Sequence, residues 1–408
     1  MKVITDSKRI RGLVASRFID KIYPSPAKLE EALRSGRRLT LYHGVDPTAP
    51  DLHLGHSTNL FLMREFQKLG HRVILLVGDF TGRIGDPTDK LAARRPLTEK
   101  EVLENSRTYK RQAARILDFN SKSNPVEVKF NSRWLGKLSS ENLIKLLANF
   151  TVAQTIKRDM FERRLKQGKE IYLNEFLYPL MQGYDSVAMK VDAEIGGTDQ
   201  TFNMLVGRDL VRTYLKKEKF VITTPLLVNP KTGNKLMSKS EGGYVSLQDS
   251  PREMFGKVMA LADEVIIPCF ELCTLYPLKE IDKLKIALKK KTINPRDAKR
   301  ILALEVTKIY HGAVKAQAAA REFERVFKAK EAPQKIPQIQ IKRGSMSVIE
   351  LIVKGGLASS KSEATRLIKQ GGVRVDQKSV SNPKLIIKLP AKGIILQVGK
   401  RRFIRIKK

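Results

Sequence analysis

The sequence predicts an α/β protein: a parallel sheet with helices on its faces, then an α-helical part, then a small basic α+β tail. Three observations carry this. Between Leu39 and Val77 an apolar strand, an amphipathic helix and a second apolar strand follow one another, which is the pattern of a βαβ unit. From about Pro251 to Lys330 apolar residues recur mostly at helical spacing. Beyond the proline-punctuated stretch Ala332-Pro333-Gln334-Lys335-Ile336-Pro337 the composition turns strongly basic.

Leu39 to Gly44 reads as a short strand, stopped by Gly44 and Pro47. His56 to Leu69 places Leu60, Met63, Phe66 and Leu69 on one helical face, with Gly70 as terminator. Arg72 to Val77 is apolar enough for a strand buried on both sides. Glu194 to Gly197 looks like a strand end leading into a helix from Asp199, and Phe220 to Val228, rich in Val, Ile and Thr, reads as a further strand. Lys279 to Lys290 and Asp297 to His311 are the clearest helices of the next part. The tail opens with short helices near Val348–Val353 and Lys361–Lys369, and Val373–Val375, Leu385–Leu389 and Ile394–Val398 follow as strands.

A length of 408 residues suggests two or three domains, and 42% hydrophobic residues suffice for a packed core. Two cysteines exclude a disulfide scaffold and fit a reducing cytoplasm. No apolar run approaches the roughly 18 residues of a spanning helix. The N-terminus lacks the apolar core of a secretion signal, and Asp6 and Asp20 argue against an organellar leader. The net charge of +35 points to a polyanionic partner, nucleic acid or an anionic membrane surface. Lys335 to Lys408 holds 18 basic and 3 acidic residues, so the positive charge is densest in the tail.

Three segments carry chemistry. Leu41 to His56 places His53 and His56 three apart, with Gly55 between them, at a strand-to-helix turn. A helix N-terminus offers free N–H groups to phosphate, and glycine permits close approach. A metal pair or ordinary surface histidines are the other readings, although no third metal ligand lies nearby in sequence. Asn234 to Gly243 contains Lys235, Lys239, small hydroxyls and two glycines, a basic loop suited to polyphosphate or simply to solvent. Tyr178, Gln182 and Asp185, at i, i+4 and i+7, share a helical stripe. That stripe is either solvated or lines a polar pocket for a small zwitterion bearing a hydroxyl.

His53-Leu54-Gly55-His56 and Lys235-Leu236-Met237-Ser238-Lys239-Ser240, in this order on a βαβ pattern, resemble the HIGH and KMSKS signatures of class I aminoacyl-tRNA synthetases. The Tyr178/Gln182/Asp185 pattern, Leu41 to Gly44, Gly85-Asp86-Pro87-Thr88 and Gly196 to Gln200 resemble the tyrosyl branch. The tail resembles the small RNA-binding module shared with a ribosomal small-subunit protein and appended to bacterial tyrosyl enzymes. The resemblance implies a Rossmann-like catalytic domain over residues 1–230, a mobile KMSKS-type loop and helical anticodon-side domain over 231–330, a linker over 331–345 and an RNA-binding domain over 346–408.

It further implies tyrosine–tRNA ligase activity, with L-tyrosine, ATP carrying Mg²⁺, and tRNA(Tyr) as partners. It implies a cytoplasmic homodimer, with no membrane partner, no resident metal and no prosthetic group. Carried over residue by residue, Tyr42 and Asp185 bind the substrate phenol. Asp86, Tyr178 and Gln182 hold its ammonium, with Thr81 nearby. Asp199 and His56 contact the ribose, Gly44, Gly55 and Gly197 admit the nucleotide, and Gln200 sits near the reacting carboxylate. Thr48, His53, Lys235, Lys239 and Ser240 hold the departing pyrophosphate. Thr198, Thr201-Phe202-Asn203 and His43 depart from the commonest family residues at their positions.

Other basic residues are candidates for RNA: the helical patch Lys157, Arg158, Arg163 and Arg164, and Arg401, Arg402 and Arg405 in the tail. The run Lys289 to Lys291 is either a solvated helix end or a phosphate contact. Cys269 and Cys273 read as buried structural thiols. Two rivals share features with this reading: the tryptophanyl branch, and a non-catalytic RNA-binding relative. The Tyr42/Asp185 pair and the tail favour tyrosine, and the intact signatures favour an enzyme.

Overall fold

The computed structural model describes residues 2–88, 97–156, 159–237, 243–328, 337–341, 344–390, 393–399 and 402–407. They fall into two compact units, Met1–Ala316 and Gln317–Lys408.

The first unit is built on β1 (Lys21–Tyr23), β2 (Thr40–Val45), β3 (Arg72–Val77), β4 (Glu127–Phe130), β5 (Ala193–Gly197) and β6 (Phe220–Thr224). They form one sheet in the order β1-β6-β5-β2-β3-β4. Every neighbouring pair is parallel except β1 with β6. The βαβ unit expected between Leu39 and Val77 is present, with Thr40 opposite Arg72 and Val45 opposite Val77. Its helix, Ser57–Lys68, starts from a 3₁₀ turn at Leu54–His56. Val73 to Val77 are buried, as an internal parallel strand requires. β6 ends at Thr224, earlier than the sequence suggests, because Pro225 has no N–H to continue the ladder. From β2 the sheet runs outward through β3 to β4, and from β5 outward through β6. The strand order therefore reverses at the β2/β5 seam, and a crevice opens beyond the carboxyl ends of those two strands.

The helices Pro251–Met259, Ile266–Cys273, Leu278–Lys289 and Pro295–His311 complete the first unit. They pack directly on the signature turn. Tyr310 Oη lies 2.6 Å from Ser57 Oγ, and Thr58 Oγ1 donates to the Leu272 carbonyl at 3.1 Å. Cys269 and Cys273 are buried free thiols, as expected. No described helix is long and apolar enough to cross a membrane.

The second unit contains β7 (Gln338–Gln340), β8 (Ser345–Ser347), β9 (Val373–Val375), β10 (Lys378–Ser379), β11 (Ile386–Lys388), β12 (Ile394–Val398) and β13 (Arg402–Lys407). One sheet has the order β10-β9-β12-β13-β7, and β11 pairs with β8. The helices Val348–Lys354 and Lys361–Lys369 close a core that includes Leu351, Ile368, Val373, Leu396 and Ile406. The stretch expected as linker contributes β7, which runs parallel to β13.

Candidate active site

The crevice at the β2/β5 seam is a cavity of about 370 Å³. Every described residue singled out for the amino-acid and nucleotide sites lines it: Tyr42, Gly44, Thr48, His53, Gly55, His56, Thr81, Asp86, Tyr178, Gln182, Asp185, Gly197, Asp199, Gln200 and Lys235. Lys157, Arg158, Lys239, Ser240 and Arg401 lie outside the described residues.

The helix Leu173–Ala188 presents its polar stripe to this cavity, so the solvated alternative does not hold. Asp185 is almost fully buried. Its Oδ1 accepts from the Trp134 indole at 2.7 Å and its Oδ2 from Asn131 Nδ2 at 3.2 Å. Burial lifts the Asp185 carboxyl well above the usual carboxylate range, while these two donors favour the charged form. Tyr42 Oη lies 2.9 Å from Ser186 Oγ, and burial keeps this phenol protonated far above its ordinary range. Tyr178 Oη donates to Asp46 Oδ2 at 2.8 Å, and Thr81 donates to the other oxygen of Asp46 at 2.7 Å. Asp86 accepts from Thr88 Oγ1 at 2.6 Å and from Gln200 Nε2 at 2.6 Å. One end of the cavity therefore holds a phenol and a carboxyl group, and three carboxylates, Asp46, Asp86 and Glu194, also face it.

The other end is built on the signature turn. Gly55 N–H donates to His53 Nδ1 at 3.1 Å, and His53 N–H donates to His56 Nδ1 at 3.2 Å. With each Nδ1 accepting, the ring proton sits on Nε2, so both rings offer one N–H donor. Burial lowers the pKa of His53 to about 4 and, with the neighbouring His53 and His43 rings, holds that of His56 well below its ordinary range, so both are neutral at pH 7. A Cβ on Gly55 would stand 2.9 Å from the His53 ring, so a side chain there would push that ring out of its place in the turn. The turn is strapped to the segment after the basic loop: Leu54 N–H reaches the Val245 carbonyl at 3.1 Å, and Leu247 N–H the Leu52 carbonyl at 2.9 Å. Lys235 Nζ forms an ion pair with Asp199 Oδ2 at 2.6 Å. Among the described residues no group of three or more His, Cys, Asp or Glu side chains is arranged to hold a metal ion, so the metal-pair reading of the histidines gains no third ligand.

Sequence reasoning missed several participants. Asp46 sits inside the first signature segment and is the acceptor for Tyr178. Asn131 and Trp134 hydrogen-bond Asp185 from a distant segment; the only signal was that Trp134 is the single tryptophan. Glu194 and Lys219 form a buried ion pair beneath the cavity. Of the RNA candidates, Arg164 is fully buried and pairs with Glu175 at 2.5 Å, so it cannot meet a nucleic acid as part of the basic helix patch. Arg402 is exposed and donates to the Leu357 carbonyl at 2.7 Å, and Arg405 is half-buried on β13.

The profile of the class I tRNA synthetases (W and Y) matches residues 34–328, and that of the S4 domain matches residues 350–390. The tyrosine–tRNA ligase of Moorella thermoacetica is 46% identical over 396 residues, covering 96% of this chain and 94% of that protein. That of Thermotoga maritima is 44% identical over 382 residues, covering 94% of each. Among solved structures, a C-terminally truncated mitochondrial tyrosyl-tRNA synthetase of Aspergillus nidulans superposes with a TM-score of 0.65 at 24% identity, over 78% of this chain and 94% of the other, a likeness of fold. The signatures, the cavity that unites them and the near-complete span of these relatives lead to one conclusion: the chain belongs to the tyrosine–tRNA ligase family of class I tRNA synthetases.

Proposed function

We propose that this cavity activates L-tyrosine with ATP and that the tyrosyl group then passes to the 3′-terminal adenosine of tRNA(Tyr), with the following division of roles. Asp185 accepts the phenol proton of tyrosine and Tyr42 meets the same oxygen. Asp86, Tyr178 and Gln182 surround the ammonium, with Thr81 acting through Asp46. Asp199 and His56 take the ribose, and Gly44, Gly55 and Gly197 leave room for the nucleotide. Gln200 guides the carboxylate toward the α-phosphorus. Thr48, His53, Lys235, Lys239 and Ser240 stabilise pyrophosphate as it leaves. Mg²⁺ arrives on the ATP phosphates as part of that substrate.

The chemistry asks for little else. The attacking carboxylate is already ionised and pyrophosphate is a stable leaving group, so no covalent enzyme nucleophile is needed. Catalysis is positioning plus stabilisation of charge that grows on the phosphates. The observation that carries this reading is that one cavity joins the Tyr42/Asp185 end to the His53/His56/Lys235 end. A phenylalanine substrate would leave buried polar groups at the first end without a partner, which is a strong basis for rejection.

We assign residues 1–230 to catalysis, 231–330 to the mobile loop and the anticodon side, 331–345 to a linker and 346–408 to RNA binding, with Arg401, Arg402 and Arg405 as phosphate contacts and Lys157 and Arg158 toward the acceptor stem. A homodimer is supported by the exposed apolar residues Ile144, Val152, Leu165 and Leu173. A cytoplasmic setting fits the two free thiols. Amino-acid-dependent ATP–pyrophosphate exchange tests the site: exchange with tyrosine and not with tryptophan or phenylalanine is expected. Exchange with tryptophan instead, or with none, overturns the assignment.

A further inference from the structure

Beneath the cavity lies an ion pair that the roles above do not use. Glu194 on β5 and Lys219, just before β6, are both almost entirely buried. The Lys219 ammonium donates to Glu194 Oε2, and to the Met204 carbonyl at 3.2 Å. It fits because Gly207 carries no side chain: a Cβ there would stand 2.6 Å from Lys219 Nζ. The other oxygen of Glu194 accepts from Gln182 Nε2 at 3.0 Å. The carbonyl oxygen of Gln182, Oε1, is buried and has no protein partner, and Gln182 lines the cavity.

An amide can turn over at little cost, and its two ends have opposite hydrogen-bonding character. An ionised carboxylate only accepts. So long as Glu194 is ionised, the Gln182 NH₂ must face it and the Gln182 oxygen must turn away from it. A buried carboxylate stays ionised when a cation sits against it. Buried ion pairs contribute little net stability, so a role in conformational specificity is the better account of this one. We propose that the Lys219–Glu194 pair is a positioning device that locks the Gln182 amide with its oxygen toward the substrate ammonium. This rests on the assignment of Gln182 to the ammonium of tyrosine.

The logic predicts what each substitution does. In Glu194→Gln the new amide must give its oxygen to the Lys219 ammonium, so its NH₂ meets Gln182 and forces that amide to turn over. In Lys219→Met Glu194 loses the buried cation that holds it against Gln182 and keeps only Ser186 Oγ, at 3.4 Å, beside that amide, so the Gln182 amide is no longer locked. Either way the amide oxygen is no longer held toward the substrate ammonium.

The test compares L-tyrosine with 3-(4-hydroxyphenyl)propionate, which lacks only the ammonium, by titration calorimetry on the full chain. In the unsubstituted protein L-tyrosine is expected to bind more tightly; no preference would overturn the ammonium assignment itself. In both variants the affinity for L-tyrosine should fall about tenfold or more, the usual scale for a lost hydrogen bond to a charged group, and the analogue should lose far less. An equal loss for both ligands, or no loss, overturns the positioning role. Glu194→Gln conserves side-chain volume, so it decides the matter if Lys219→Met does not fold.

Discussion

The Lys235 ammonium rests 2.6 Å from the Asp199 carboxylate, so a group assigned to the phosphates and a group assigned to the ribose neutralise one another. On the proposed roles, bound ATP would compete for both members of this ion pair, and Lys235 would face the pyrophosphate as it leaves. Lys235→Ala is expected to lower kcat for tyrosine-dependent pyrophosphate exchange by about 10²-fold or more, the scale for removing one donor to a developing anion. KM for tyrosine should hold steady, and a large rise in it would instead place Lys235 in amino-acid binding.

Asp185 has one donor on each oxygen, Trp134 and Asn131. Asp185→Ala removes the proposed acceptor for the phenol and should abolish measurable activation; near-normal activation would sink the phenol assignment. Trp134→Phe keeps an aromatic ring and removes one hydrogen bond to a buried carboxyl group. Its expected cost is about 1.5–3 kcal/mol, read as a rise in KM for tyrosine of about 10- to 100-fold. Selectivity over phenylalanine should narrow at the same time, because the phenylalanine complex loses less.

His71 is fully enclosed, with its Nδ1 accepting from Leu39 N–H at 3.2 Å. Burial, then the nearby Arg38 charge, lowers its pKa to about 4. The neutral ring is therefore favoured by folding. Its contribution is complete above the unfolded pKa near 6.5 and is lost as pH falls through 6.5 toward 4. Denaturant unfolding at pH 7 and pH 4.5 should show a drop of which about 2–3 kcal/mol belongs to this residue. His71→Asn keeps an acceptor and does not titrate, so its drop should be smaller by that amount. An identical drop in both proteins would assign the acid sensitivity elsewhere.

On β13, Ile404 and Ile406 point into the core, and Arg405 lies on the opposite face. Arg405→Glu should leave tyrosine activation intact and weaken tRNA charging. The slope of log affinity against log salt should fall by roughly one for each phosphate no longer neutralised. Equal damage to activation and charging would make Arg405 structural.

The apolar residues Val152 and Leu173 are 70% and 83% exposed, and large apolar side chains left open to water mark candidate contact surfaces. Leu173→Glu is expected to shift the protein from dimer to monomer in sedimentation. A monomeric starting protein would remove the dimer from the proposal.

What the sequence discloses and what it hides follow from how each residue acts. Tyr178, Gln182 and Asp185 announced themselves by helical spacing, and the two histidines by their place at a strand-to-helix turn. Trp134 and Asn131 touch only Asp185, from about fifty residues away in sequence, so no local pattern marks them. Lys219 stands at the edge of an apolar run, where a lysine usually reaches solvent. Only the neighbouring register of β5 and β6 and the space left at Gly207 turn it inward. The strands β7 and β8, three residues each, are too short for alternation to register, and the arginines of β13 disguised its alternating Ile404 and Ile406 as a solvated charge run. Arg164 looked like part of a basic patch until Glu175 met it.

The backbone N–H groups that occupy Nδ1 of His53 and His56 have a consequence for the reaction as a whole. Neither ring can gain a proton without surrendering the turn that holds it, so in the proposed roles the signature histidines serve as fixed donors. Tyrosine activation on this proposal calls on no proton from either ring: a carboxylate enters and pyrophosphate leaves. The adenylation step should accordingly run at nearly the same rate in heavy water as in light water.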